Sequence, residues 1–320
     1  MRTLFVILLC FQTIVLFAQA KTDPENQSKE LGKVTWYRDY DEALEVANNE
    51  GKPILILFQE VPGCQTCRNY GHNVLSHPMM IEGIENLFIP LAIYNNKAGK
   101  DREVLNKYNE PTWNNPVVRI IDTNGKNLVE RVAGNYSTRG LYTAMVKALK
   151  TQKKEIPGYF KLYGQEINAT NATQEKTYQM YCFWSGEKIL GAKEGVLETK
   201  AGFRGGAEVV NVKYDPSVVK ESELTSYAQQ ANIKPTQTSE YIFSEKDHLF
   251  YLKKTNYKYL PLTDLQKTKI NSALGLKQNA DTFLSPKQKI WLKNIDFDQG
   301  KQQMLYLKDI KVAWWIKNGV

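Results

Sequence analysis

Apolar residues between positions 34 and 150 follow two patterns, continuous runs and helical repeats. The runs PILILFQE and LFIPLAIY are apolar almost throughout, which is typical of buried parallel strands. In YDEALEVANNEGK, Ala43, Leu44 and Ala47 fall on one helical face, and Gly51 follows as a stop signal. The segment NPVVRIIDTNGKNLVERVAG predicts a strand, a turn and a strand, and STRGLYTAMVKALK predicts a closing helix. The order of these elements predicts an α/β domain over residues 33–150.

The pattern changes after residue 150. Residues 151–174 are polar and irregular, and they predict a linker. Beyond them, Tyr178, Met180 and Cys182 alternate as in a strand, a helix can begin at the next residue, and EVVNVKYDP predicts another strand. Two helical patterns follow, LTDLQKTKINSAL and SPKQKIWLKNI. Because 320 residues exceed one ordinary domain, we expect a second domain of the α+β class over residues 175–320.

The first twenty residues have the composition of a secretory signal peptide. An apolar run from Leu4 to Phe17 follows a single arginine and leads to Ala18-Gln19-Ala20, an A-x-A cleavage pattern. The run is short for a membrane span, so a retained signal anchor is the lesser alternative. We therefore expect residues 1–20 to be removed and the mature chain to be exported, to a periplasmic or extracellular location without a membrane span. The polar residues 21–32 are expected to lack order.

Charge gives little support for a nucleic-acid partner. The chain carries 42 Lys and Arg against 34 Asp and Glu, a formal net charge of +8. These charges are spread as single lysines among acidic residues, and no arginine-rich block or basic stripe stands out. We expect a basic solvated surface and no nucleic-acid binding.

Cysteine usage indicates thiol chemistry. Removal of the leader leaves Cys64, Cys67 and Cys182, an odd number that argues against a disulfide framework. The first two form a CxxC motif directly after a buried strand, where a helix begins. A helix N-terminus favours a thiolate, so Cys64 is expected to attack a disulfide and Cys67 to release the mixed species. The alternative is half of a zinc site, which His72 and His77 could complete; we expect no metal and no other cofactor.

The order of elements around the CxxC motif resembles a thioredoxin-fold domain over residues 33–150. In that family a cis-proline faces the redox pair, and the resemblance implies this place for Pro116, which follows Asn115 before a predicted strand. The usual Trp-Cys-Gly-Pro-Cys motif is replaced here by VPGCQTC, which leaves the redox potential open.

Four ordered motifs after residue 178 resemble class A peptide methionine sulfoxide reductases. CFWSGE is similar to the family's Gly-Cys-Phe-Trp-Gly-x-Glu, EGV to its Pro-Gly-Val turn, and AGFRGG to its Gly-Tyr-x-Gly-Gly. The segment AEVVNVKYDP is similar to the strand that follows Gly-His in that family and ends in Asp-Pro. The resemblance covers residues 178–230, and the rest of the second domain diverges. Together with the resemblance to the thioredoxin fold, it implies an α/β thioredoxin-like domain followed by an α+β domain similar to these reductases.

The resemblance also implies roles for single residues. Cys182 corresponds to the nucleophile that attacks the sulfoxide sulfur, and Glu208 to the group that protonates or hydrogen-bonds to the oxygen. Phe183 and Trp184 correspond to the apolar wall around the substrate's methyl group. Two features depart from the family: Gly206 stands where it has a histidine, and the loop before Glu208 is shorter. A phenol could come from one of three tyrosines, between which the sequence does not decide: Tyr251, Tyr257 and Tyr259.

Together these features predict an exported enzyme that reduces methionine S-sulfoxide, a peptide-methionine (S)-S-oxide reductase. No cysteine follows Cys182, so the CxxC pair is expected to serve as its reductant. The expected partners are oxidised methionine in proteins or peptides and an external thiol or disulfide reductase as electron donor. One alternative is a thiol–disulfide oxidoreductase with a degenerate second domain that binds client proteins. A non-catalytic surface interaction protein is a third possibility.

Overall fold

The two apolar runs form neighbouring strands of one sheet. In the computed structural model, which describes residues 21–113, 116–169, 172–295 and 303–319, β1 (Ile54–Gln59) pairs in parallel with β2 (Ile89–Tyr94). On its other side β1 pairs in antiparallel with β3 (Val117–Ile121). The predicted leader, residues 1–20, lies outside the described residues.

Helices cover both faces of this first sheet. They are α1 (Tyr40–Glu50), α2 (Gln65–Asn73), α3 (Pro78–Leu87), α4 (Lys100–Lys107) and α5 (Thr138–Thr151). Side chains of β1 alternate between two cores: Leu55 and Leu57 face one, and Ile54, Ile56 and Phe58 face the other. Burial on both faces explains why β1 reads as an uninterrupted apolar run. The CxxC motif lies where β1 ends and α2 begins.

The segment that the sequence predicted as an irregular linker contains a helix, α6 (Gly158–Asn168). Its residues Tyr159, Phe160 and Tyr163 are almost fully buried in a core that they share with α3 and α5. The structure differs from the prediction because most residues of 151–174 are polar, so the short aromatic segment among them does not stand out in the sequence pattern. The segment is thus a packed element between the two halves of the chain.

A second sheet follows and is antiparallel throughout. Its strands lie in the order β7-β4-β6-β5-β8. The bounds are β4 (Gln174–Gln179), β5 (Val196–Arg204), β6 (Ala207–Tyr214), β7 (Lys234–Thr236) and β8 (Ile242–Phe243). A tight turn joins β5 to β6 and sets Phe203 opposite Glu208.

The helices of this second half are α7 (Phe183–Ala192), α8 (Glu221–Gln229), α9 (Phe250–Lys253), α10 (Asp264–Gly275), α11 (Pro286–Lys293) and α12 (Ile310–Asn318). α7 packs against β5, β6 and α10. Lys269 of α10 donates hydrogen bonds to the carbonyls of Gly191 and Lys193 at the end of α7, both at 2.8 Å. This cation satisfies carbonyl groups that a helix C-terminus leaves without partners. No helix of the described ranges is long and apolar enough to cross a membrane.

The two halves share one core. Ile310 and Trp314 of α12 are buried in the core around β1 and α3, far from them in sequence. The amide of Lys287, at the start of α11, donates a 2.9 Å hydrogen bond to the Glu82 carboxylate of α3. Burial raises the pKa of Glu82. The C-terminal helices therefore contribute packing and hydrogen bonds to the first half of the chain as well as to the second.

Gly83 allows α6 to approach α3. A Cβ atom added at Gly83 would lie closer than 3.0 Å to ring atoms of Phe160, which is fully buried and has no room to turn. We expect Gly83→Ala to lower the free energy of unfolding by about 1–3 kcal/mol, the usual cost of overpacking a core. Urea unfolding measures the change.

Gly191→Ala is the matched control for this substitution. A Cβ there meets Thr268 and Ser272 at 3.3–3.4 Å, a tight but tolerable contact, and alanine favours the helix by about 0.5–1 kcal/mol. It should stay close to wild type. Equal stability of both variants would contradict a tight contact between α3 and α6.

Candidate active site

Cys64 and Cys67 lie together at the start of α2. Cys64 is the N-cap residue of the helix and is exposed, whereas Cys67, one turn later, is buried. Their sulfur atoms are 3.6 Å apart. Because both sulfurs lie on one side of the first turn, a disulfide between them requires only a small movement.

The two thiols have opposite acidities. A hydrogen bond from the backbone amide of Cys67 lowers the pKa of Cys64 below the ordinary thiol value, against a smaller effect of burial. Burial raises the pKa of Cys67 to about 12, and its hydrogen bond to Cys64 and the charge there add to this. Exposure and the lowered pKa favour Cys64 as the attacking thiolate and the buried Cys67 as the second thiol, and both roles stay predictions.

Two carboxylates that the sequence analysis missed surround this pair. A carboxylate oxygen of Glu60 and both sulfurs lie within 4.8 Å of one another. Glu30 is buried, and its carboxylate accepts hydrogen bonds from the Gly63 amide at 2.8 Å and the Ser28 hydroxyl at 2.6 Å. The position of Glu60 after β1 could have drawn attention to it.

Glu30 belongs to the stretch 21–32, which was expected to lack order and instead contains a 3-10 helix, Lys29–Leu31. An added Cβ at Gly71 would collide with the Lys29 carbonyl, so glycine lets α2 lie against this short helix. The contact depends on tertiary packing, for which the local sequence carries no signal.

The histidines of the zinc alternative do not join the cysteines. The ring of His77 stacks on Tyr163 at 4.7 Å, and its Nδ1 accepts a 3.2 Å hydrogen bond from the Met79 amide at the start of α3. Burial lowers the pKa of His77 to about 4. His72 lies exposed on α2. Among the described residues, the third ligand-type group beside the two sulfurs is Glu60.

Pro116 is buried and directly precedes β3. The first residue of that strand, Val117, pairs with Phe58 of β1, near the strand end that leads to the CxxC motif. Residue 115 lies outside the described residues, and with it the geometry of the bond between 115 and 116. The implied role of Pro116 opposite the redox pair and its cis geometry both stay predictions.

Cys182 is the N-cap residue of α7 and is partly exposed. Its neighbour Phe183 donates its amide to Oε2 of Glu208 at 2.7 Å. The carbonyl of Glu208 in turn accepts a 3.1 Å hydrogen bond from the Met180 amide. The fold thus brings Glu208 of β6 to the helix start that carries Cys182, two residues that are 26 positions apart in sequence.

The aromatic residues beside Cys182 are packed on one another. Phe183 is only 5% exposed and meets Phe203 edge to face, with ring centroids 5.4 Å apart. Trp184 stacks on Phe250 at 4.1 Å, and its indole Nε1 is buried without a hydrogen-bond partner in the described part of the chain. Tyr181, just before Cys182, is 99% exposed. Trp184 and Tyr181 therefore present more surface than Phe183 does.

Three of these contacts were missed by sequence reasoning. Phe203 faces Glu208 across the β5–β6 hairpin, which strand alternation could have indicated. Phe250 comes from a diverged segment that carried no motif. Tyr181 directly precedes the CFWSGE motif, so the motif gave no signal for it.

The three candidate tyrosines have their described contacts elsewhere. The ring of Tyr251 packs where Gly275 lacks a side chain. The hydroxyl of Tyr257 donates a 2.5 Å hydrogen bond to Asp281, and Tyr259 packs against a separate core in the C-terminal region. The ring of Tyr251 also meets Phe250 edge to face, with centroids 5.4 Å apart. A catalytic role for any of the three stays a prediction.

A buried carboxylate holds the segment that covers Trp184. Glu187 is fully buried and accepts hydrogen bonds from the amides of Ala201 at 3.2 Å and Leu249 at 2.9 Å. Its other contact is His248 Nδ1 at 2.7 Å. Since Leu249 precedes Phe250, this carboxylate sets the position of the ring that stacks on Trp184.

The difference in acidity between Cys64 and Cys67 can be measured by alkylation. We expect iodoacetamide at pH 7 to modify Cys64 of the reduced native protein and leave Cys67 untouched, because Cys67 is buried and its pKa is about 12. Peptide mass spectrometry reports each site. The denatured chain, in which both must react, is the control. Equal native rates at the two sites would contradict the assignment of the attacking thiol.

Comparisons with known proteins bear on both halves. Residues 35–123 match a family model described as thioredoxin-like. A peptide methionine sulfoxide reductase of Drosophila melanogaster is 38% identical over 72 residues, 18% of this chain and 28% of the relative. Peptide methionine sulfoxide reductase MsrA of Methanococcus maripaludis is 33% identical over 69 residues, 16% of this chain and 44% of the relative. The chain thus spans less than half the length of these curated relatives.

Among solved structures, a DsbH oxidoreductase is 24% identical, covers 37% of this chain and 85% of its own, and has a TM-score of 0.32. The family match agrees with the sheet, the helices and the CxxC position described above. The part of the chain from residue 35 to residue 123 is a thioredoxin-like domain.

Proposed function

We propose that this protein reduces methionine S-sulfoxide at Cys182 and uses the Cys64–Cys67 pair as its reductant. The observation that carries the proposal is the 2.7 Å hydrogen bond from the Phe183 amide to the Glu208 carboxylate. It holds a proton-transferring group beside the helix start that carries a partly exposed thiol. The partial identity with two methionine sulfoxide reductases supports the same chemistry.

In the first step the Cys182 thiolate attacks the sulfoxide sulfur. Glu208 donates a proton to the oxygen, because an oxygen cannot leave sulfur as a bare oxide. The hydroxyl then transfers to the Cys182 sulfur as the sulfur–oxygen bond and the new bond between the two sulfurs break, which releases methionine and leaves Cys182 as a sulfenic acid. The substrate sulfur gains two electrons and Cys182 loses them.

In the second step Cys64 attacks the sulfenic sulfur and water leaves. The resulting disulfide joins Cys182 and Cys64. Cys67 then attacks Cys64 and releases Cys182 as a thiol, and a carboxylate oxygen of Glu60 lies within 4.8 Å of the Cys67 sulfur. An external dithiol reductant returns the Cys64–Cys67 disulfide to its reduced form. The leader-like composition of residues 1–20 supports an exported site of action.

A second candidate function is thiol–disulfide exchange alone, with a second domain that binds client proteins. The turn at Gly205 and Gly206 favours this second function, because it leaves the surface beside Glu208 open. Both glycines are exposed, and a Cβ added at either would meet nothing within 4 Å. Trp184 is also covered by Phe250, which leaves less surface for a substrate methyl group.

Turnover by the mature chain decides between the two functions. We expect dithiothreitol-driven reduction of the S epimer and none of the R epimer. Cys182→Ser should abolish the reaction, because a hydroxyl is a poor nucleophile near neutral pH. Glu208→Gln keeps a polar group of the same size but cannot deliver a proton, so the rate should fall about 10²- to 10⁴-fold.

Glu175→Gln, on the exposed surface of β4, is the matched control and should turn over as wild type does. A wild-type chain that exchanges disulfides through Cys64 but releases no methionine would support the second function and exclude the first. An unchanged rate in Glu208→Gln would remove that residue from the mechanism.

A further inference from the structure

If Cys182 reduces sulfoxide as proposed above, on which the present inference rests, its oxidised form needs a second thiol to reduce it. The sequence contains four cysteines, one of which lies in the leader, so the chain itself offers only Cys64 and Cys67. The described structure holds these two sulfurs beside Glu60, whereas Cys182 lies beside Glu208. Cys64 begins α2, whose nine residues span about 13 Å and lead towards His77, which stacks on Tyr163 of α6. Cys64 and Cys182 thus begin two different helices, and α2 places Cys64 at its end away from α6.

Cys182 lies at one end of the α7–α10 helix pair. A Cβ at Gly191 would touch Thr268 and Ser272 of α10, and the Ser272 hydroxyl donates to the carbonyl of Lys188. Lys188 contacts Ser272, whereas Gly191, which comes later in α7, also contacts Thr268, which comes earlier in α10. The two helices therefore run antiparallel. Cys182 precedes Gly191 by nine residues, which is about 13 Å along a helix.

The thioredoxin-like domain is joined at the other end of this pair. The Leu265 amide, at the start of α10, donates a 2.8 Å hydrogen bond to Glu166 of α6. Burial raises the pKa of Glu166 to about 7. Leu265 lies three residues before Thr268, so this joint and Cys182 are separated by roughly 18 Å along the helix pair.

The joint is packed too tightly for the halves to swing towards each other. Phe160 fills the space over Gly83, and a Cβ on Gly158 would collide with the carbonyl of Thr282. Trp314 returns from the C-terminal region into the core of the first half, where it is 1% exposed. Rotation about the joint would expose these aromatic side chains to water.

Both thiol sites are nevertheless accessible from outside. Cys64 is exposed, and Tyr181 beside Cys182 is almost fully so. We propose that oxidised Cys182 of one molecule is reduced by Cys64 of a second copy of this chain. The sulfenic hydroxyl of Cys182 leaves as water when the Cys64 thiol of the second molecule attacks, and a disulfide joins the two chains. Cys67 of that second molecule then attacks its own Cys64, releases Cys182 as a thiol, and leaves a Cys64–Cys67 disulfide.

Counting methionine released without any external reductant tests this proposal. A reduced Cys64→Ser chain should release one methionine from the S-sulfoxide and stop. Added reduced Cys182→Ser chain, which cannot attack sulfoxide, should restore its Cys182 and raise the yield above one equivalent. The double variant Cys64→Ser, Cys182→Ser is the matched control and should add nothing.

Wild type alone should release two equivalents, and the second should appear more slowly as the protein is diluted. A mixture that stays at one equivalent while wild type gives two at a concentration-independent rate would overturn transfer between molecules. A wild type that releases only one equivalent would remove the CxxC pair as reductant. No release at all would remove the proposed function itself.

Discussion

Burial of the aromatic face of α6 is the contact on which the arrangement of both thiol sites depends. Phe160 fills the space left by Gly83, and Tyr163 stacks on His77 between α2 and α3. The same helix holds the start of α10 through Glu166. Because α10 supports α7, the position of Cys182 follows from a contact made on the thioredoxin-like domain. In the described part of the chain, the two halves therefore pack together, with Cys64 and Cys182 at the starts of two different helices.

The two thiols proposed to attack occupy the same local position in different surroundings. Cys64 and Cys182 are both N-cap residues, at helix starts whose first backbone amides have no partner within the helix. The partner at Cys64 is a buried thiol whose pKa is raised by burial. Beside Cys182, the Glu208 carboxylate accepts a hydrogen bond from the amide of the next residue, Phe183. A thiol partner suits disulfide exchange, and a carboxyl partner suits the removal of oxygen from sulfur.

Local patterns in the sequence predicted the elements that their own residues determine. The fully apolar runs became β1 and β2, and both cysteine-bearing helices begin where expected, at Gln65 and Phe183. The meeting of Cys182 with Glu208 followed from motif resemblance, and the structure supplies its physical basis in one hydrogen bond. The sequence could not indicate contacts such as Glu82 with Lys287, which join residues 205 positions apart. Phe250 on Trp184 is of the same kind, because no spacing rule links α9 to α7.

The claim most open to direct test is that sulfoxide oxidises Cys182 and no other thiol. Reduced Cys64→Ser chain would be mixed with one equivalent of a peptide containing methionine S-sulfoxide, in the presence of dimedone, which traps sulfenic acids. Peptide mass spectrometry should find the adduct on Cys182, in the same amount as the methionine peptide formed, and no adduct with the R epimer. Formation of methionine without an adduct on Cys182, or an adduct found on Cys67 instead, would contradict the account.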